Sequence, residues 1–123
     1  MEDQPIPSEH VDPPRRYASV EQITENRSTA NEEDYLLSEV GWIRIRGLSR
    51  AEFLTSQKRY PDDAAAQERY ILSRAVIIPT VTEAVAGQWQ TASGINEINE
   101  LAMRINELSG LTKGADKSRL PGV

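Results

Sequence analysis

The sequence contains no cysteine and only one histidine, and both shortages limit the chemistry available to it. Without cysteine there is no disulfide, no thiolate metal site and no cysteine nucleophile. The single imidazole, His10, lies in a proline-rich stretch with nothing placed to orient it, so a serine–histidine–aspartate arrangement has no base. No glycine pattern completes a phosphate-binding loop. We therefore expect a protein that is not an enzyme and that uses no metal or cofactor.

Long apolar runs are also missing. No stretch approaches the about 18 apolar residues that a membrane span needs. The first ten residues, MEDQPIPSEH, are acidic and have no apolar centre, which is unlike a signal peptide. We expect no contact with a membrane.

Charge is spread unevenly along the chain, whose net charge is −5. Residues 1–40 hold ten acids and three arginines, so their net charge is −7, whereas residues 41–123 carry +2. This acidic balance argues against nucleic acid as the main partner. One competing hypothesis remains, in which Trp42 stacks on single-stranded nucleic acid and Arg44, Arg46 and Arg50 contact its backbone. The alternative is an exposed face whose arginines pair with acidic residues or with a protein partner.

Proline marks the ends of the folded region. Four of the seven prolines fall within residues 1–16, which have almost no large apolar side chains. We expect residues 1–18 to form a disordered acidic arm and residues 112–123 a flexible tail. A single helical domain is predicted between them, over residues 19–111.

A β-hairpin is predicted near residues 35–46. Alternation in Trp42-Ile43-Arg44-Ile45-Arg46 places the isoleucines on one face and the tryptophan and arginines on the other. Tyr35 to Ser38 would be the partner strand, Gly41 would lie in the turn, and the polar segment 25–34 before it is interpreted as turn-like. Two strands alone are barely stable, so the isoleucine face must pack against helices.

Capping signals mark two helix starts around this hairpin. Ser19 stands at capping-box spacing from a glutamine and predicts a short first helix. Ser49 and Glu52 form a second capping box, and Leu48 and Phe53 stand at the spacing of a hydrophobic staple. This second helix is expected to end near Tyr60-Pro61.

Two further helices follow in the prediction. One begins at Asp62 or Asp63 and continues to Ile78, where a proline ends it. The next begins with a Thr80–Glu83 capping box. Its apolar stripe is then expected to consist of Val81, Ala84, Val85, Gln88 and Trp89.

The last helix is predicted from about Gly94 to Ser109, with Ser93 as a possible cap. Gly110 is the expected left-handed residue after it, with Leu111 folded back on the final turn. Its apolar stripe comprises Ile95, Ile98, Leu101, Ala102, Ile105 and Leu108, and on the polar side Glu100 and Arg104 are expected to pair. The predicted class is mostly α with a small β-hairpin (α+β), with about four helices after the hairpin.

Five residues are candidates for contact with a protein partner. Trp42 and Trp89 are large and amphipathic, as binding hot spots often are, although both also suit a core that has few aromatics. Arg44 and Arg46 share the face of Trp42. Met103 projects from the polar side of the last helix, away from its apolar stripe.

The order of four segments resembles the tail assembly chaperones of long-tailed bacteriophages, particularly those that infect actinobacteria. The segments cover most of residues 19–114 and read SVEQI, VGWIRIRGLSRAEF, ERYILSRAVIIPTVTEA and INELAMRINELSGLTKGADK. They resemble, in turn, the short opening helix of that family, its tryptophan-bearing strand and Arg-Gly-Leu-Ser junction, its Pro-linked helix pair, and its closing helix.

The resemblance implies a non-structural protein of the host bacterial cytoplasm that is absent from the mature virion. Its partner would be the long, apolar tape-measure protein, kept soluble while the tail tube assembles. The tail tube protein and further copies of this chain are implied as additional partners. The alternative hypothesis is a structural tail completion or connector subunit of the virion.

Overall fold

The computed structural model describes residues 16–110, as a three-stranded antiparallel sheet with five α-helices. In chain order the elements are α1 (Val20–Thr24), β1 (Glu32–Leu37), β2 (Gly41–Arg46), α2 (Arg50–Arg59), α3 (Ala64–Ala75), β3 (Val76–Ile78), α4 (Glu83–Ala92) and α5 (Ile95–Leu108). The predicted class is confirmed, and four helices follow the hairpin. The expected arms, apart from residues 16–18, lie outside the described residues, as does Leu111.

The hairpin is longer than expected because β1 begins at Glu32 rather than Tyr35. Acidic residues are poor strand formers, so the segment before Tyr35 suggested a turn. In the structure, Glu32 lies directly across from Arg46 and Asp34 from Arg44. Opposite charges on facing strands compensate for the low strand propensity.

A third strand was missed by the sequence prediction, which continued α3 through Ile78. The helix ends at Ala75, and Val76–Ile78 pairs antiparallel with the free edge of β2. Ile45 of β2 lies opposite Val76, and Arg44 lies opposite Ile78. Three consecutive β-branched residues favour extended backbone, and the neighbouring edge supplies the hydrogen-bond partners.

One apolar core joins the sheet to the helices. The inner face of β2 contributes fully buried Ile45, and α5 contributes Leu101 and Ile105, as its predicted stripe required. Ile95, the first residue of that stripe, is instead 86% exposed because it precedes the packed part of the helix. The core consists of Leu37, Ile43, Ile45, Leu48, Leu72, Ala75, Val76, Val81, Ala86, Ile98, Leu101 and Ile105.

Helix α2 has the predicted capping box. The Ser49 hydroxyl accepts a hydrogen bond from the Glu52 amide at 3.1 Å, and the Ser49 amide donates to the Glu52 carboxylate at 3.1 Å. The equivalent box at Ser19 and Gln22 is also present. Both helix starts were therefore readable from residue spacing alone.

The starts of α4 and α5 differ from the prediction. Thr82, not Thr80, caps α4, and its hydroxyl accepts from the Val85 amide at 3.1 Å. Since residues 76–78 form a strand, the chain must first turn through residues 79–82 before a helix can begin. Ser93 ends α4 rather than capping α5, whose N-cap, Gly94, makes no side-chain hydrogen bond.

The stripe of α4 is also shifted from the expected one. Ala84 and Gln88 are exposed, and Ala86, absent from the predicted stripe, is fully buried. Val81 is buried just before the helix, as expected. Only one side of a short helix reaches the core here, which leaves Val85 at 42% exposed.

Arg104 joins β1 to α5. Its guanidinium donates two hydrogen bonds of 2.6 Å to the Glu33 carboxylate and one of 2.8 Å to Glu107. The expected pair with Glu100 is therefore wrong, because the guanidinium is taken up by a bidentate contact with Glu33 of the sheet and by Glu107, three residues further along the same helix.

Gly47 lies where three segments meet. A Cβ atom at this position would be 2.5 Å from the Ser28 carbonyl oxygen and 2.6 Å from that of Leu108. The Gly47 amide donates to the backbone carbonyl oxygen of Asn31 at 3.0 Å. The side-chain amide of Asn31 in turn donates to the backbone carbonyl oxygen of Leu108 at 3.0 Å. The backbone of the β2–α2 junction therefore touches both the segment before β1 and the end of α5.

Replacing Gly47 should destabilise the fold more than an ordinary glycine substitution. Gly47→Ala forces two backbone carbonyls apart, and we expect the free energy of unfolding to fall by about 1–3 kcal/mol. Urea denaturation followed by circular dichroism measures it. Gly94→Ser is the matched control, because a Cβ there meets no atom within 4 Å. Equal losses for the two variants would contradict the close approach at Gly47.

Two threonines near α4 provide a second test. Thr82→Ala should lower the free energy of unfolding by about 1 kcal/mol, because it removes the cap of the helix. Thr80→Ala should change it by less than about 0.5 kcal/mol, since Thr80 lies exposed in the preceding turn. Thermal unfolding of both variants is the measurement, and a larger effect at Thr80 would mean that the helix starts earlier.

Candidate functional site

The outer face of the sheet carries an exposed apolar patch. Trp42 is 68% exposed, and Leu36 lies directly across from it on β1. On β3, the strand that flanks β2 opposite to β1, Ile78 lies across from Arg44 and is 59% exposed. Of the two interpretations left open for Trp42, core or surface, the structure places it on the surface.

Arg44 shares this outer face, but its charge is already compensated. Its guanidinium donates to Glu32 at 3.1 Å and to Asp34 at 2.9 Å, and these hydrogen bonds raise the pKa of Arg44. All three side chains are well exposed, so the ion pairs themselves contribute little stability. The two carboxylates do offset the positive charge of Arg44, and the face beside Trp42 is therefore not a basic patch.

Arg46 has a structural role. It forms two hydrogen bonds with Glu52, of 3.0 and 2.8 Å, and a third of 2.9 Å with the Gly47 carbonyl oxygen. The Arg46 guanidinium, together with the Ser49 amide, holds the pKa of the Glu52 carboxyl below its ordinary value despite partial burial. The capping box of α2 and the end of β2 are thereby joined in one network.

An open apolar groove lies between α4 and the turn end of the sheet. Its volume is about 390 Å³, and one wall is formed by Val85, Trp89 and Ala92 of α4. The opposite wall and floor come from Leu37, Val40, Ile43, Val76, Pro79 and Val81, while Ser93 and Glu97 are its polar lining residues. Val85 is 42% exposed beside this groove.

Trp89 is fixed at one side of this groove. Its ring packs against the core, and its indole N–H donates to the Glu97 carboxylate at 2.7 Å. A buried indole N–H without an acceptor would be costly, so Glu97 also holds the ring in position. Trp89 thus packs against the core and also lines the groove. The two interpretations of this residue, core and surface, therefore each describe part of its environment.

The structure separates the five predicted contact residues. Trp42 and Arg44 lie on the outer sheet face, Arg46 lies in the α2 capping network, and Trp89 lines the groove. Met103 is 64% exposed on α5, as predicted, but it does not line the groove.

Sequence reasoning missed Val40 and Glu97 as groove residues. Val40 precedes the predicted turn at Gly41 and was assigned no role, and Glu97 was not among the candidate contact residues. Val85 had been assigned to the buried stripe of α4. The helical period places Val85 on the apolar side of α4, but it does not indicate whether another element covers that side.

Within residues 16–110, no group of three or more acidic or histidine side chains is arranged to hold a metal ion. Among the helices of the same region, none is long and apolar enough to cross a membrane. No protein-family model, curated protein or solved structure matches the chain.

The Arg46–Glu52 pair predicts a pH dependence of stability. Because the pKa of Glu52 is lowered in the folded state, the pair stabilises the protein above the ordinary carboxyl pKa, and the contribution is lost as pH falls through the folded value. Glu52→Gln keeps an oxygen acceptor for the Ser49 amide but removes the charge. We expect the variant to be less stable than the wild type at about pH 7, with the difference shrinking toward about pH 3.

Chemical denaturation across that pH range is the measurement. Glu21→Gln on α1 is the matched control, since this exposed side chain forms no ion pair within the described residues. A stability difference for Glu52→Gln that stays constant with pH would show that the ion pair is not the cause.

Proposed function

We propose that this chain is a tail assembly chaperone of a long-tailed bacteriophage, which binds the tape-measure protein and keeps it soluble during assembly of the tail tube. The single observation that carries the proposal is the open apolar groove beside Val85 and Trp89. The resemblance of the four sequence segments supplies the identity of the partner.

The shape and chemistry of the groove suit a helix. An amphipathic helix binds by laying an apolar stripe into a hydrophobic groove, with side chains at positions i, i+3, i+4 and i+7 as anchors. The groove offers aliphatic side chains on both walls and one fixed aromatic ring. A tape-measure protein is a long helix-forming chain with exposed apolar stripes, so it presents such anchors repeatedly.

The outer patch of Leu36, Trp42 and Ile78 provides a second apolar surface, which supports the proposal in a different way. A long partner covered by many chaperone copies needs weak contacts that the tail tube protein can later displace. Two modest surfaces on one small domain meet that requirement better than one extensive interface. Further copies of this chain and the tail tube protein are the additional partners in this proposal.

The proposal places the protein in the host bacterial cytoplasm and not in the mature virion. A structural tail completion or connector subunit is the other candidate, and mass spectrometry of purified virions distinguishes them, because the chaperone should be depleted from mature particles. Nucleic acid is disfavoured as a partner, because Arg44 and Arg46 are already paired with carboxylates.

Co-expression with the tape-measure protein of the same phage tests the function. We expect this chain to move the tape-measure protein into the soluble fraction and to co-elute with it on gel filtration. Val85→Lys should weaken binding about tenfold, which corresponds to about 1.4 kcal/mol, because it places a charge in the groove, and the soluble yield should fall as a result. If the tape-measure protein stays insoluble with the wild type, the proposal fails.

A matched control distinguishes groove blockage from unfolding. Ala84→Lys introduces the same side chain at the adjacent, exposed position of α4, outside the groove. We expect Ala84→Lys to solubilise the tape-measure protein as the wild type does, with both lysine variants keeping the wild-type circular dichroism spectrum. If both variants lose the ability to solubilise the tape-measure protein equally, the groove is not the binding site.

A further inference from the structure

The rim of the groove is acidic. Glu97 lines it directly, and no lysine or arginine of the described residues does. Burial raises the pKa of Tyr35, and the negative charges of Glu100 and Glu97 raise it further. Glu97 and Glu100 stand three residues apart on α5 and so share one face of that helix, while Tyr35 lies directly across from the groove residue Ile43.

These carboxylates are left uncompensated by the way α5 packs. Arg104, the cation expected to pair with Glu100, is drawn to Glu33 and Glu107 instead. Within residues 16–110, neither Glu97 nor Glu100 forms an ion pair. The contrast with the outer sheet face is clear, because there Arg44 is neutralised by two acids.

Glu97 is also held in place before any partner arrives. The 2.7 Å hydrogen bond from the Trp89 indole fixes one carboxylate oxygen and leaves the other to accept a further donor. A side chain that is already ordered loses less conformational entropy on binding. The charge therefore lies at a fixed distance from the apolar wall formed by Trp89 and Val85.

We propose that the groove selects helices whose apolar stripe is flanked by lysine or arginine, with Glu97 and Glu100 contacting the basic side chains. The inference rests on the proposed function and narrows it, because it names which segments of a long helical partner the groove takes. Apolar contacts provide affinity for any amphipathic helix, and the acidic rim distinguishes basic segments from acidic ones.

Two synthetic peptides test this selectivity. Each is an amphipathic helix of about 18 residues, or about five turns, with the same leucine and isoleucine stripe. One carries lysine at every flanking position, and the other carries glutamate there. Each peptide carries a fluorescein label and is titrated with the protein at low salt. The lysine peptide should bind at least about tenfold more tightly than the glutamate peptide, because the carboxylates of Glu97 and Glu100 attract lysine and repel glutamate.

The double variant Glu97→Gln/Glu100→Gln identifies the source of the selectivity. Glutamine at position 97 retains an oxygen acceptor for the Trp89 indole, so the groove should keep its shape. We expect its affinity for the lysine peptide to fall about threefold to tenfold and its preference over the glutamate peptide to disappear. Glu21→Gln on α1, outside the groove, should leave both affinities unchanged.

The outcomes separate the inference from the function on which it rests. Equal binding of both peptides, abolished by Val85→Lys, would overturn the basic selectivity and leave the groove as the binding site. Retained selectivity in the double variant would also overturn it. If neither peptide binds while the tape-measure protein is still solubilised, the inference fails, and the chaperone must bind its partner through another surface.

Discussion

The close backbone approach at Gly47 is the constraint on which the rest of the structure depends. A side chain there would collide with carbonyl oxygens from two other segments, at Ser28 and Leu108. The hydrogen bonds through Asn31, together with the bond from the Leu48 amide to the Ser109 hydroxyl, place the end of α5 beside the end of β2. With that end fixed, the buried side chains of α5 lie across the inner face of the sheet.

The position of α5 in turn shapes the groove. Because the helix crosses the sheet with Arg104 bonded to Glu33 of β1, the opposite part of the helix presents Glu97 to Trp89. The groove therefore combines an apolar wall from α4, a floor from the sheet and an acidic group from α5. None of these elements forms the groove alone, and a shift of α5 would change its chemistry as well as its width.

The distribution of ion pairs separates structural charges from those available to a partner. On the outer sheet face and at the start of α2, Arg44 and Arg46 are paired within the chain, so their charges serve the fold. At the groove, the carboxylate of Glu97 has no cationic partner within the described residues, and the same holds for Glu100, three residues further along α5. A small domain with few core residues gains from partner binding, since any ligand of the folded state adds to its stability.

The sequence by itself determined the local features of this protein. Ser49 and Glu52 specify a helix start, the alternation around Ile43 and Ile45 specifies a strand with one buried face, and the left-handed Gly110 ends α5, because each depends on residues close together in the chain. Only the tertiary structure decided the third strand, the start of α4, the partner of Arg104 and the opening of the groove. Those features depend on which edge, carboxylate or helix face lies nearby in space, and spacing along the chain carries no record of that.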